Sequence, residues 1–230
     1  MRTMNRPLKP GMRDREILIK STLLSQLGME STAAMMEMAA ILSLAPHQVL
    51  FRAGEAADSL YCVLIGYVRA YHLEAGGREA DVALYGPGEF IGAGALFDNK
   101  GHTVNAQTAE PTVVARFDVR RVRDAAFRQS DLAMALAGTL ARQLDHALLT
   151  IGNDRLHTAQ QRVANYLLSN CPNDGKATSF RLPYQKSLLA GKLGLAPEAL
   201  SRAFSMLRDH GVHVRGRLVQ IDDPEALRRI

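Results

Sequence analysis

Between Val49 and Phe117 the chain breaks into short runs of β-forming residues, and glycine fills most of the gaps between them. The runs are 49–51, 60–65, 68–73, 80–85, 90–91 and 112–117. Between them fall Gly54, Gly66, the pair Gly76-Gly77, Gly86-Pro87-Gly88 and Gly101, which supply the φ values that tight turns require. Many short strands joined by glycine turns imply an antiparallel sandwich or roll.

The text changes on both sides of this segment. Residues 1–22 are basic and Met-rich, with Pro7, Pro10 and Gly11, and read as an irregular arm without a legible role. Residues 23–44 alternate small and apolar side chains and read as short helices, their methionines filling core space. Residues 118–153 read as one helix with Leu132, Leu136, Leu140, Leu144, Leu148 and Ile151 along a stripe. That stripe is long for the surface of one small domain. The leftover seam suits a homodimer, with intramolecular packing on the β domain as the alternative. An amphipathic segment from His157 ends at Cys171-Pro172-Asn173-Asp174-Gly175, so a new unit starts near 157.

With 47% apolar and 22% charged residues among 230, the chain has material for real cores, and disorder is excluded. No apolar run is long enough for a signal peptide or a membrane span, which leads us to expect a soluble cytoplasmic protein. Cys62 and Cys171 are too few and too far apart for a disulfide framework, a cysteine zinc site or an iron-sulfur cluster. The charge is uneven. Residues 1–154 hold 16 Lys and Arg against 17 Asp and Glu, whereas residues 155–230 hold 12 against 6. A basic module behind a near-neutral one points to a polyanion partner.

Within that basic module, KSLLAGKLGLAPEALSRAFS (186–205) has the pattern of a helix-turn-helix. Small Ala190 lets two helices cross closely, Gly194 permits the turn, and Pro197 sits where the second helix begins. Leu189, Leu193, Leu195, Leu200 and Ala203 take the buried positions. On the second helix Leu200, Ala203, Phe204 and Leu207 form one face, and Glu198, Ser201, Arg202 and Ser205 the opposite, polar one. Arg202 can reach guanine O6 and N7 bidentately, and Glu198 can accept from cytosine N4. Residues 212–221 alternate around Gly216 as a β-hairpin wing, with Arg215 and Arg217 at its tip. Those two arginines, with Lys186, Ser205 and Arg208, are candidates for phosphate contacts that position the helix.

These residues resemble the Crp/Fnr family of bacterial regulators over nearly the whole chain after the first twenty or so. The marks are Leu50-Phe51-Arg52-Ala53-Gly54-Glu55 followed by Ser59-Leu60-Tyr61, then Gly66-Tyr67-Val68, Pro87-Gly88-Glu89-Phe90-Ile91-Gly92 and the helix-turn-helix. The resemblance implies an α+β chain: an N-terminal β-roll of the cyclic-nucleotide-binding type, a long dimerisation helix and a C-terminal winged helix-turn-helix. It divides the chain into an arm (1–22), an effector roll (23–130), a dimer helix (131–156, with Leu136, Leu140, Leu144, Leu148 and Ile151 on its seam) and a DNA-binding domain (157–230). Binding to double-stranded DNA as a homodimer and contact with RNA polymerase, as an activator, are further implications.

Glu198, Ser201 and Arg202 fall on the Glu-x-x-Ser-Arg signature of the Fnr and Dnr branches, which implies a palindrome resembling TTGAT-N4-ATCAA. Members that bind cyclic AMP carry an acidic residue after Phe-Ile-Gly and an Arg-Ser pair further on. Here Ala93, Thr103 and Val104 stand instead, and Ala147 and Leu148 replace the hydroxyls that hold adenine. A cyclic phosphate would lack its cation, so cyclic AMP is not the expected effector. The four-cysteine cluster of oxygen-sensing members is absent too.

The stretch 182–191 leading into Pro197-Glu198 most resembles the nitric-oxide-responsive Dnr and NnrR regulators of nitrogen-oxide respiration. Ile91, Gly92, Ala93, Leu96, Thr103, Val104, Leu144, Ala147 and Leu148 are the expected effector pocket, able to hold haem or an aromatic acid. The histidines show no paired metal spacing, and none is assigned to a metal; His146, on the long helix, is the haem-ligand candidate. A β domain that is a structural remnant with no effector stays open as an alternative. No nucleophile elbow, phosphate loop or histidine-carboxylate cluster suggests an enzyme.

Overall fold

An unbroken apolar run such as 60–65 is tolerated only in a strand covered on both faces. The computed structural model describes residues 8–97, 101–171 and 176–230, and the chain splits into two compact units, Met1–His146 and Ala147–Ile230. In the first, α1 (Met12–Ile19) and α2 (Met29–Met38) precede β1 (Ala40–Leu44), β2 (Val49–Phe51), β3 (Ser59–Ile65), β4 (Val68–Leu73), β5 (Glu79–Tyr85), β6 (Phe90–Ile91), β7 (Asn105–Thr108) and β8 (Thr112–Asp118). Then come α3 (Val119–Arg128) and α4 (Ser130–Leu156).

The strands form two antiparallel four-stranded sheets, ordered β1-β8-β3-β6 and β2-β7-β4-β5. In β3, Tyr61 and Val63 join Phe51, Val68, Ile91 and Val114 in one cluster. The alternate residues Leu60, Cys62 and Leu64 join a second cluster with Leu18, Met35, Val122, Leu132 and Leu136 from the helices. That double coverage is why β3 is apolar throughout. Gly66, at φ +81, ends β3 where a Cβ would lie 2.7 Å from the Pro111 carbonyl oxygen, so only glycine turns the chain there.

Several expectations from the sequence change, the first being that the helix read over 118–153 is two, α3 and α4, parted at Gln129, whose backbone is extended. The supposed irregular arm holds the helix α1, whose Leu18 is fully buried, and Leu8 pairs with Ile41; residues 1–7 lie outside the described residues. The end of the segment read as short helices is a strand, β1, and the polar β7 joins β2 and β4. The apolar stripe of α4 is not one seam. Leu132 and Leu136 are buried in the roll and Leu140 packs against the same cluster, whereas Leu144, Leu148 and Ile151 are exposed. Residues spaced by four drift about 40° per step around a helix of 3.6 residues per turn, so Leu136 and Leu148 point roughly 120° apart.

The second unit contains the end of α4, then α5 (Ala159–Leu168), β9 (Thr178–Arg181), α6 (Lys186–Lys192), α7 (Pro197–Leu207), β10 (Val212–Arg215), β11 (Leu218–Ile221) and α8 (Pro224–Leu227). Thr158 and Gln161 form a capping box that starts α5. The wing is a three-stranded antiparallel sheet, ordered β10-β11-β9, rather than the expected two-stranded hairpin. The turn expected at 172–175 lies outside the described residues.

Candidate nucleic-acid interface and effector segment

Helix α7 opens with Pro197 in its first turn, as expected of a residue with no amide proton to leave unpaired. Leu200, Ala203, Phe204 and Leu207 are buried, and Glu198, Ser201, Arg202 and Ser205 stand exposed on the other face. Neither Glu198 nor Arg202 makes a hydrogen bond or ion pair among the described residues. Arg202 therefore offers its whole guanidinium fork outward from the middle of the helix, available for bidentate recognition of a base. The Ser205 hydroxyl donates to the Ser201 carbonyl oxygen (3.1 Å), so it is already engaged along the helix.

A cleft of about 630 Å³ runs between α7 and the wing, lined by Lys186, Ser201, Phe204, Arg208, His213 and Arg215 among others. The Lys186 ammonium sits 5.4 Å from the Phe204 ring centroid, an attraction that holds the cation at the cleft edge. Arg208 and Arg215 are exposed and make no ion pair among the described residues. On the wing strands, His213 Nε2 donates to Asp222 Oδ2 (3.0 Å) and Gln220 Nε2 donates to Asp222 Oδ1 (2.9 Å).

Arg217 departs from its expected role. Its Nε donates to the Leu182 carbonyl (2.8 Å), a second guanidinium nitrogen donates to the Pro183 carbonyl, and Leu182 N donates back to the Arg217 carbonyl (2.8 Å). The side chain that looked like a phosphate ligand at the wing tip is a strut binding the wing to the segment that leads into α6.

In the first unit the expected effector residues separate. Ile91, with Val104 packed beside it, belongs to the cluster between the sheets. Ala93 and Leu96 belong to the helix-side cluster, Thr103 is exposed, and Leu144 is exposed on α4. Ala147 and Leu148 are exposed residues of the second unit. Gly92 has φ +87, and a Cβ there would meet the Ser59 carbonyl at 3.1 Å. The His102 ring stacks on Phe51 with centroids 3.5 Å apart, and burial pulls its pKa below the ordinary value, against the opposing pull of Asp58 and Glu55.

Two polar clasps escaped the sequence reading. Arg123 of α3 donates from Nε to the Leu96 carbonyl (2.9 Å) and from Nη2 to the Ala95 carbonyl (3.0 Å). Gln143 of α4 donates from Nε2 to the Phe90 carbonyl (2.8 Å). The signal for Gln143 was its spacing: Leu132, Leu136, Thr139 and Gln143 continue the roll-facing line at steps of four, three and four.

The charged groups on the roll strands are likewise engaged. Arg69 pairs with Asp81 and Glu79 at 2.7 Å each, and Arg116 Nε donates to Ser59 Oγ at 2.7 Å. His146 is exposed, while Ile91, Ala93 and Leu96 are closed into core at 2%, 1% and 5% exposure. That donor set, as placed, does not fit a haem, which needs an axial side chain over an apolar slot. No helix among the described residues is long and apolar enough to cross a membrane.

Residues 41–129 match the cyclic nucleotide-binding domain, and residues 161–230 the Crp-like helix-turn-helix domain. The nitrogen fixation regulation protein FixK of Rhizobium meliloti (strain 1021) is 33% identical over 187 residues, covering 80% of this chain and 84% of that protein. The cyclic AMP receptor protein of Thermus thermophilus is 31% identical over 172 residues, 71% of this chain and 74% of that one. The structure of FixK2 from Bradyrhizobium japonicum aligns with a TM-score of 0.70 at 27% identity, covering 83% of this chain and 96% of that chain.

Proposed function

Since this chain belongs to the Crp/Fnr family of DNA-binding transcription regulators and is not an enzyme, we propose that it acts in the cytoplasm as a homodimer that reads a palindrome resembling TTGAT-N4-ATCAA. The observation that carries this reading is the unpartnered polar face of α7, with Glu198, Ser201 and Arg202 exposed opposite a buried apolar stripe. Each subunit lays α7 in a major groove, where Arg202 reads guanine and Glu198 reads cytosine. Lys186, Arg208 and Arg215 neutralise phosphates beside it. Leu144, Leu148 and Ile151 pair across the two-fold axis, which covers the apolar side chains that α4 leaves exposed. RNA polymerase is the partner through which binding activates transcription.

The effector is not cyclic AMP. Ala93, Thr103 and Val104 supply neither a carboxylate for a ribose nor a cation for a phosphate, and Arg69 and Arg116 are committed to partners of their own. Control of nitrogen-oxide respiration in response to nitric oxide is the finer reading, supported by the sequence of 182–191. A second reading, the same regulator gated by another ligand such as an aromatic acid, is favoured by the poor fit of His146 and its apolar neighbours to haem.

The test is DNA affinity at fixed salt for the palindrome against scrambled DNA, with protein alone and with haem and nitric oxide. Tight specific binding only with both supports the nitric-oxide response. Specific binding indifferent to both assigns the effector to another class, and equal binding to both duplexes in every state contradicts the operator.

A further inference from the structure

The last turns of α4 belong to the second unit, and one side chain there touches the turn of the helix-turn-helix through an arginine. Arg162, on α5, donates from Nη1 to Asp154 Oδ1 of α4 (2.5 Å) and to the Leu193 carbonyl (2.9 Å), in the turn between α6 and α7. The next residue, Gly194, has φ +61, and a Cβ built there would lie 3.1 Å from both Asp154 carboxylate oxygens and 3.3 Å from Arg162 Nη1. The carboxylate, the guanidinium and the bare glycine therefore close on one another, and any side chain at 194 would push them apart.

A second observation falls at the same joint. Arg162 Nε and, at the start of the α4-to-α5 link, His157 Nδ1 are buried without a hydrogen-bond partner among the described residues. Unpaired buried polar atoms weaken a fold, so this joint is not arranged for greatest stability. What it achieves is a fixed direction. The end of α4 is tied to the residues immediately before α7, with the Arg162 side chain only 16% exposed and so held against solvent competition.

We infer that Asp154 and Arg162 form a latch that sets the angle between the last turns of α4 and the recognition helix, and so fixes the half-site spacing at which both subunits of a dimer engage DNA. Asp154 and Arg162 are positioning residues: neither lines the cleft between α7 and the wing. The inference rests on the palindromic, dimeric reading above. In a two-fold assembly whose recognition helices must meet successive grooves, a rigid joint allows one spacing and a loose joint allows several.

The experiment titrates full-length protein against duplexes carrying the same two half-sites separated by two to eight base pairs. Wild type is expected to bind one spacer well and its neighbours poorly. Asp154→Ala, which removes a half-exposed carboxylate and leaves the apolar core intact, is expected to lose that preference while its affinity for a single half-site stays unchanged. Arg162→Met keeps the buried stem but removes the one nitrogen that donates to both Asp154 and Leu193, and flattens the profile in the same way. Thermal unfolding of each variant is followed alongside, because a purely structural role lowers affinity for all spacers together and leaves their ratios untouched. That result, or a sharp wild-type preference that Asp154→Ala retains, overturns the latch. A wild type indifferent to spacing overturns the palindromic reading itself, and the latch falls with it.

Discussion

Arginines packed on the roll and arginines on the DNA-facing side of the second unit are held differently. In the roll Arg69 is held by two carboxylates, Arg116 by Ser59 and Arg123 by two backbone carbonyls. In the second unit Arg202 on α7, and Arg208 and Arg215 at the cleft, stand exposed with no such partner among the described residues. A cation whose hydrogen bonds are already made is scaffold, and one whose fork is open is available to a phosphate or a base. The contrast sorts residues that look alike in sequence. It sets Arg217, which already donates to two carbonyls, apart from the exposed Arg215 two positions earlier. The same division runs along α4, whose early leucines are scaffold and whose later ones are free.

The largest effect expected from this contrast is on α4. Leu136→Ala opens a cavity in the roll core and costs about 2–5 kcal/mol, read by denaturant unfolding. Leu148→Ala, at 57% exposure, leaves the unfolding of the subunit unchanged and weakens self-association in sedimentation; equal loss of stability in the two variants would erase the distinction. Next comes Arg217. Losing charged hydrogen bonds to two carbonyls costs on the order of 1.5–3 kcal/mol, and Arg217→Lys is expected to fare nearly as badly as Arg217→Ala, because a single ammonium cannot span both acceptors. A lysine variant with wild-type stability and affinity would return Arg217 to the phosphate contacts.

Arg208→Gln and Arg215→Gln are smaller perturbations. Each is expected to weaken binding uniformly across DNA sequences and to reduce the slope of log affinity against log salt by about 1, with no change in the melting temperature. The smallest effect is a pH dependence in the roll. Burial lowers the His102 pKa from its ordinary 6.5, so the folded chain binds fewer protons than the unfolded one. The contribution of His102 to stability is complete above 6.5 and is lost as pH falls from there through the lowered folded value. His102→Gln should flatten that part of the stability profile, as followed by thermal unfolding at stepped pH.

How much of this was visible in the sequence depends on how local each determinant is. The helix-turn-helix was legible because 186–207 carries its own instructions: a small crossing residue, a turn glycine, a proline at the start of α7 and two opposed faces. Six of the roll's strands were legible for the same reason. Strand β1 was not, since Met35 to Ala40 are helix-favouring residues and pairing with β8 makes the strand that follows. The polar β7 is a strand because β2 and β4 flank it. Arg217 misled because the carbonyls it holds lie some 35 residues away in the chain. The separation of the expected effector residues was not legible, because neighbours along the segment, Ile91 and Ala93, enter different clusters.

The free face of α7 is tested most directly by a base-substitution scan of the palindrome with wild type and Arg202→Ala at one fixed salt concentration. Wild type should discriminate at the guanine facing Arg202 by about 1–3 kcal/mol, and the variant should lose discrimination at that base pair alone while still dimerising and still preferring the other bases. An Arg202→Ala protein that keeps the full wild-type preference at every position would contradict the assignment of this face to base reading.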